Sequence, residues 1–152
     1  MAHLSESFAA GLRATLAAEA LTVQRYTYFA QIAEIEGRTE IAKLFRDLAA
    51  SVACAAHGHL DVLRDHVPQG IGDTALNLAS SVAEALRDAD GTYPELTAAA
   101  FDEGQVDVAS WLTTAAALKK AHVARLDAAL RELAEPAGRE PALTSGHGGS
   151  DD

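Results

Sequence analysis

Tyr26–Phe45 reads YTYFAQIAEIEGRTEIAKLF, and Tyr93–Leu112 reads YPELTAAAFDEGQVDVASWL. Each stretch opens on a Tyr, carries a Glu-Gly pair ten residues later, and continues with an acid, an aliphatic residue and an Ala. Gly tolerates the left-handed backbone that follows a helix end, so Gly37 and Gly104 each mark a stop between two helices. The chain therefore reads as the same helix–turn–helix written twice.

Working outward, four amphipathic segments are legible. The first runs from about Ser5 to Ile35, with Ser5 as N-cap and Phe8, Leu12, Leu16, Val23 and Ala30 near helical spacing. The second runs from about Thr39 to His66, with Ile41, Leu44, Phe45, Leu48, Val52, Ala55, His59 and Val62 along one stripe, and Pro68 and Gly70 ending it. The third begins near Asp73, breaks around Asp90-Gly91, is kinked or restarted by Pro94, and resumes to about Phe101. The fourth runs from about Gln105 to Leu133. No segment alternates with period two, so no sheet is expected. Four helices, each ~40 Å long, predict an all-α four-helix bundle built from two helical hairpins over residues 1–135. The remainder, 136–152, is rich in Gly, Pro, Ser and acid and reads as a flexible tail.

Composition narrows the function classes. With 152 residues and 49% hydrophobic content, the chain can build one domain with a sizeable core. The abundant Ala favours helix and close helix packing. A formal charge of −10 excludes nucleic acid as the expected partner, because phosphate binding needs clustered Lys and Arg. One cysteine, Cys54, allows no internal disulfide, and without a CxxC pair these residues encode no rubredoxin-type iron site. No apolar run approaches ~20 residues and no leader is visible, so no membrane span is expected and the cytoplasm is the expected compartment.

The connection between the two hairpins constrains their pairing. In bundles made of a duplicated hairpin, the second and third helices often run parallel, so the chain must cross the bundle's length. Val67–Asp73 spans ~25 Å at most, short of ~40 Å. Either flanking helix ends unwind, or each hairpin pairs with that of a second chain. A hairpin-exchanged homodimer is the favoured expectation.

Glu19–Leu60 resembles the first half of a rubrerythrin, of the ferritin-like superfamily, and Asn77–Leu126 resembles its second half. RYTYFA, EGxxxIAxLF and NLxxxV followed by YPEL carry the likeness. The resemblance implies two irons between four helices, held by a Glu on the first helix of each half, an Glu-x-x-His pair on the second, and one extra Glu on the third helix. Residues three apart share a helix face, so such a pair can reach one metal from one helix. The family is implied to be cytoplasmic peroxidases that reduce hydrogen peroxide at this centre.

Carried over residue by residue, the resemblance implies a degenerate site. The first-helix ligand is Glu19, retained seven residues before Tyr26. The second-helix pair falls on Val52 and Ala55, and both ligands are lost. The third-helix carboxylates fall on Ala85 and Asp88, one lost and one shortened. The fourth-helix pair falls on Lys119 and His122: the acid is replaced by a cation and the His is retained. An ammonium has no lone pair and repels a divalent ion. It is also costly in a bundle centre unless paired. The expectation is a metal-free buried polar cluster of Lys119, Glu19 and Asp88, with His122 one turn away and Tyr26 as a core aromatic hydrogen-bonded to Glu19. No cofactor is expected. If a metal binds, iron or another divalent ion would rest on Glu19, Asp88 and His122.

The remaining chemistry-bearing residues read plainly. His57 and His59 point to different helix faces, one at the core edge and one exposed. Cys54 reads as a small buried residue and Trp111 as core or interface packing. Three functions stand side by side: a non-catalytic dimeric scaffold or accessory protein, an altered-site oxidoreductase (a Glu19–Asp88–His122 metal, or Lys119 as a desolvated nucleophile), and an apolar small-ligand binder in the bundle core. The tail is a candidate docking peptide for a protein partner.

Overall fold

The structure is a computed structural model that describes residues 4–67 and 71–135. Its elements are α1 (Glu6–Ile35), α2 (Thr39–His66), α3 (Thr74–Arg87), a π-helical turn (Asp88–Thr92), α4 (Tyr93–Asp102) and α5 (Val106–Ala134). No strand occurs among the described residues. The chain divides into two compact units, Met1–Asn77 and Leu78–Asp152. Pro68, Gly70 and the tail from residue 136 lie outside the described residues.

In the first unit, α1 and α2 form an antiparallel hairpin. Ser5 caps α1, its hydroxyl accepting the Phe8 N–H at 3.2 Å. The turn is set by Gly37, whose φ of 74 would strain any other residue. The Gly37 N–H donates to Glu34 O (2.9 Å) and the Arg38 N–H reaches back to Ala33 O (2.7 Å), which satisfies the last carbonyls of α1. Beside the turn, Arg46 pairs with Glu34.

The expected α2 stripe is not the hairpin seam. The buried residues of α2 are Ala42, Ala49, Ala56 and Leu63, a strict seven-residue repeat, met by Ala9, Ala30 and Ala33 of α1. Small side chains let two helices approach closely, so the seam is alanine, while Ile41, Leu44, Leu48 and Val62 remain exposed. Phe45 bridges the two, its ring 5.7 Å from Tyr26 and 5.5 Å from Phe29. Cys54 is exposed rather than buried. It lies about 200° around α2 from Ala56 and so faces away from the seam.

In the second unit, α3, the π-turn and α4 run on as one helical arm, of which the π-turn and α4 pack against α5. Asp73 caps α3 by accepting the Leu76 N–H at 2.9 Å. The break expected at Asp90-Gly91 is instead a π-turn that passes directly into α4, with Pro94 in the first turn of α4, where its missing N–H costs nothing. The α4–α5 turn repeats the first one: Gly104 has φ 73, its N–H donates to Phe101 O (2.9 Å), and the Gln105 N–H reaches Ala100 O at 2.8 Å. Ala42 and Ala109, the alanines of the repeated motif, are both 0% exposed. Trp111, by contrast, is 68% exposed.

Candidate functional site

The second hairpin gathers Asp88, Lys119 and His122 around one open cleft of about 500 Å³, lined also by Ser81, Glu84, Ala85 and Arg125. Asp88 opens the π-turn, while Lys119 and His122 lie three apart on α5 and so share a face. The Lys119 Nζ stands 2.9 Å from Asp88 Oδ2. This hydrogen bond and the charge of Asp88, helped by Tyr93 and Glu84, hold the Lys119 pKa above its ordinary value of 10.5 against the opposing effect of desolvation. The raised pKa favours the charged ammonium and so weighs against Lys119 as a low-pKa nucleophile.

Neither partner is buried within this hairpin: their side chains are 32% and 36% exposed, because the cleft opens on the hairpin's face. Ala85, where a carboxylate was anticipated, is buried and forms part of the cleft wall. His122 is exposed.

The first hairpin carries the other positions. Glu19 and Val52 are half-buried and Ala55 is exposed. The turn centres near residue 37, so Glu19 of α1 lies level with the Val52–Ala56 stretch of α2. Tyr26 is half-buried and held by ring packing on Phe45; among the described residues it makes no hydrogen bond to Glu19. The two residues are seven apart on α1, about 10 Å along the helix axis. His57 is exposed and His59 half-buried.

Sequence reasoning missed Glu84, Tyr93 and Arg125. Two signals were available. Glu84 and Asp88 are four apart on one helix face, and Lys119, His122 and Arg125 recur at intervals of three.

At the positions that the sequence comparison with the family pattern singles out, the donors are few. On the second hairpin, Ala85 supplies no donor, Lys119 supplies a positive charge, and the Asp88 carboxylate is engaged by that charge. On the first, Val52 and Ala55 supply none. Among the described residues no three His, Cys, Asp or Glu side chains converge in a metal-binding group.

A family model described as rubrerythrin matches residues 11–130. The chain belongs to the rubrerythrin family, and its fold is the all-α, ferritin-like bundle of two hairpins that the repeat predicts. Among curated proteins it is similar to rubrerythrin-1 of Clostridium acetobutylicum, at 27% identity over 139 residues, covering 84% of this chain and 71% of that protein. No helix among the described residues is long and apolar enough to cross a membrane.

Proposed function

We propose that this rubrerythrin-family protein no longer runs di-iron peroxidase chemistry and acts as a non-catalytic dimeric scaffold or accessory protein of the cytoplasm. One observation carries the reading. The ammonium of Lys119 lies 2.9 Å from Asp88, and Lys119 stands where the family pattern calls for a metal-ligating Glu. A cation there opposes a divalent ion by charge and occupies the one carboxylate that α3 and the π-turn retain in the pattern.

The dimer follows from two supports. Each hairpin buries little beyond alanine along its seam, and leaves Leu44, Leu48, Leu86, Leu118 and others exposed. A two-helix unit of this kind needs a second pair of helices to cover its apolar face. The Val67–Asp73 connection reaches ~25 Å against an α2 length of ~40 Å, so the second pair comes from another chain.

The test combines metal analysis, peroxidase assay and sedimentation on the full chain. After incubation with ferrous salt and desalting, iron should stay far below two per chain, hydrogen peroxide turnover should match the buffer, and the mass should be that of a dimer. Two tightly held irons per chain, or peroxide turnover lost in Glu19→Ala, would overturn the non-catalytic reading. A monomer at micromolar concentration would overturn the dimer. The cleft favours one second reading, a small-ligand site floored by Ala85, Leu126 and Ala129. Native mass spectrometry of freshly purified protein decides it by the presence or absence of a co-purifying mass.

A further inference from the structure

The back of α1 carries a seven-residue repeat that its own hairpin does not use. Ala14, Leu21, Tyr28 and Ile35 stand seven apart, interleaved by Ala10, Ala17, Gln24 and Gln31, and all of them are exposed. At about 100° per residue they fall in an arc of about 100°, whose centre lies about 150° from that of the buried Ala9, Ala30 and Ala33. None is charged, although α1 carries Glu6, Arg13, Glu19, Arg25 and Glu34 elsewhere. The three largest apolar residues of the strip, Leu21, Tyr28 and Ile35, are 60%, 61% and 86% exposed, so nothing in the chain covers it. Two interleaved positions in every seven are the pattern by which one helix lays a seam along another.

We propose that this strip pairs two copies of the chain through antiparallel α1 helices. Bulk decides the direction. Tyr28 and Ile35 lie in the C-terminal half of the strip and the alanines in its N-terminal half, so an antiparallel partner sets Ala17 against Tyr28 and Ala10 against Ile35, with Leu21 beside Gln24 at the centre. Charge agrees. Arg13 and Glu34 flank the strip on the same edge, each about 80° from its local centre, and in an antiparallel pair like edges meet. Arg13 of one copy then stands within about 3 Å, along the axis, of Glu34 of the other. Both side chains keep exposed surface beside their present partners, Glu6 and Arg46. A parallel pair would stack Tyr28 on Tyr28 and leave Arg13 and Glu34 about 30 Å apart. The strip is about 38 Å long and one helix wide, under a standard interface of ~800 Å² a side, so the pairing is weak and separate from the proposed hairpin exchange. It does not rest on the scaffold reading, because it concerns α1 alone.

The test is disulfide trapping in the full-length chain carrying Cys54→Ser, which removes the native thiol. Ala17→Cys and Tyr28→Cys are introduced together. The two positions are about 16 Å apart along one helix, too far to bond within a chain. Mild oxidation at about 200 µM, where a weak contact is populated, should give a covalent dimer. Tryptic mass spectrometry should find links from residue 17 to residue 28 severalfold in excess of links between like positions. Leu21→Glu, exposed and central, sets two carboxylates about 5 Å apart along the axis and should cut the yield severalfold with helicity by circular dichroism unchanged. A statistical mixture of links, links between like positions alone, no covalent dimer, or a yield indifferent to Leu21→Glu would each overturn the proposal. If Leu21→Glu does not fold, the link map decides alone. A monomer in the sedimentation test of the proposed function would remove the exchanged dimer and leave this expectation standing.

Discussion

At the scale of single residues, the centre of interest is the pair of Lys119 and Asp88, on which the proposed function rests. Lys119 and Asp88 are each about a third exposed, so their pairing should contribute only ~0.2–1 kcal/mol. Its pH dependence has a definite sign. The folded-state pKa of Lys119 is raised, so the stabilisation is present in full below pH 10.5 and lost as pH rises through the raised value. Chemical denaturation of the parent and Lys119→Met should thus differ at neutral pH and converge in strong alkali. Lys119→Glu should do the opposite of stabilise: it places a third acid beside Asp88 and Glu84. It also restores the spacing of an acid three residues before His122. Calorimetry should detect cobalt binding to this variant at micromolar concentration and none to the parent; an unresponsive Lys119→Glu would mean that the ammonium is not what opposes the ion. Lys119, Asp88 and His122 were legible because family spacing counts along one helix at a time. Glu84 and Arg125 were not, because their entry into the cleft depends on which way two helices face each other. Cys54 misled for a related reason: a thiol's small size suits burial, but its angle about α2 decides.

At the scale of the elements, the repeated Glu-Gly motif proves to be a repeated piece of geometry. Gly37 and Gly104 share a left-handed φ and matching hydrogen bonds, and an added Cβ at either would meet open space. The cost of replacing them is therefore purely a backbone cost. Gly37→Ala and Gly104→Ala should each destabilise by about 1–2 kcal/mol, with the Asn variants milder, as thermal melts can show. Helix ends were readable from such local chemistry: Ser5, the two glycines and Thr39 all fall within two residues of the observed boundaries. The hairpin seam was not. Large apolar residues dominate a helical stripe to the eye, yet the closest helix contacts are made by alanines, which carry little hydrophobic signal. The π-turn also escaped notice, since Gly91 and Pro94 look alike as breakers whether a helix stops or merely widens.

For the molecule as a whole, the proposed dimer rests on chain connectivity. Lengthening Val67–Asp73 by about eight flexible residues would extend its reach to ~50 Å, enough to run the length of a helix. Sedimentation should then move from a dimer toward a closed monomer; a dimer unmoved by the longer connection would show that hairpin exchange is not imposed by reach. The two-hairpin plan was legible in the sequence because it is encoded twice, and the pairing of hairpins is a matter of distance rather than of motif. The sole thiol, at Cys54, offers a handle on that question. It is exposed on the side of α2 away from the seam, so a nitroxide attached there leaves the packing of its own hairpin alone. Any two-chain assembly would carry one spin on each chain, and its pulsed electron resonance trace would report a single separation between them.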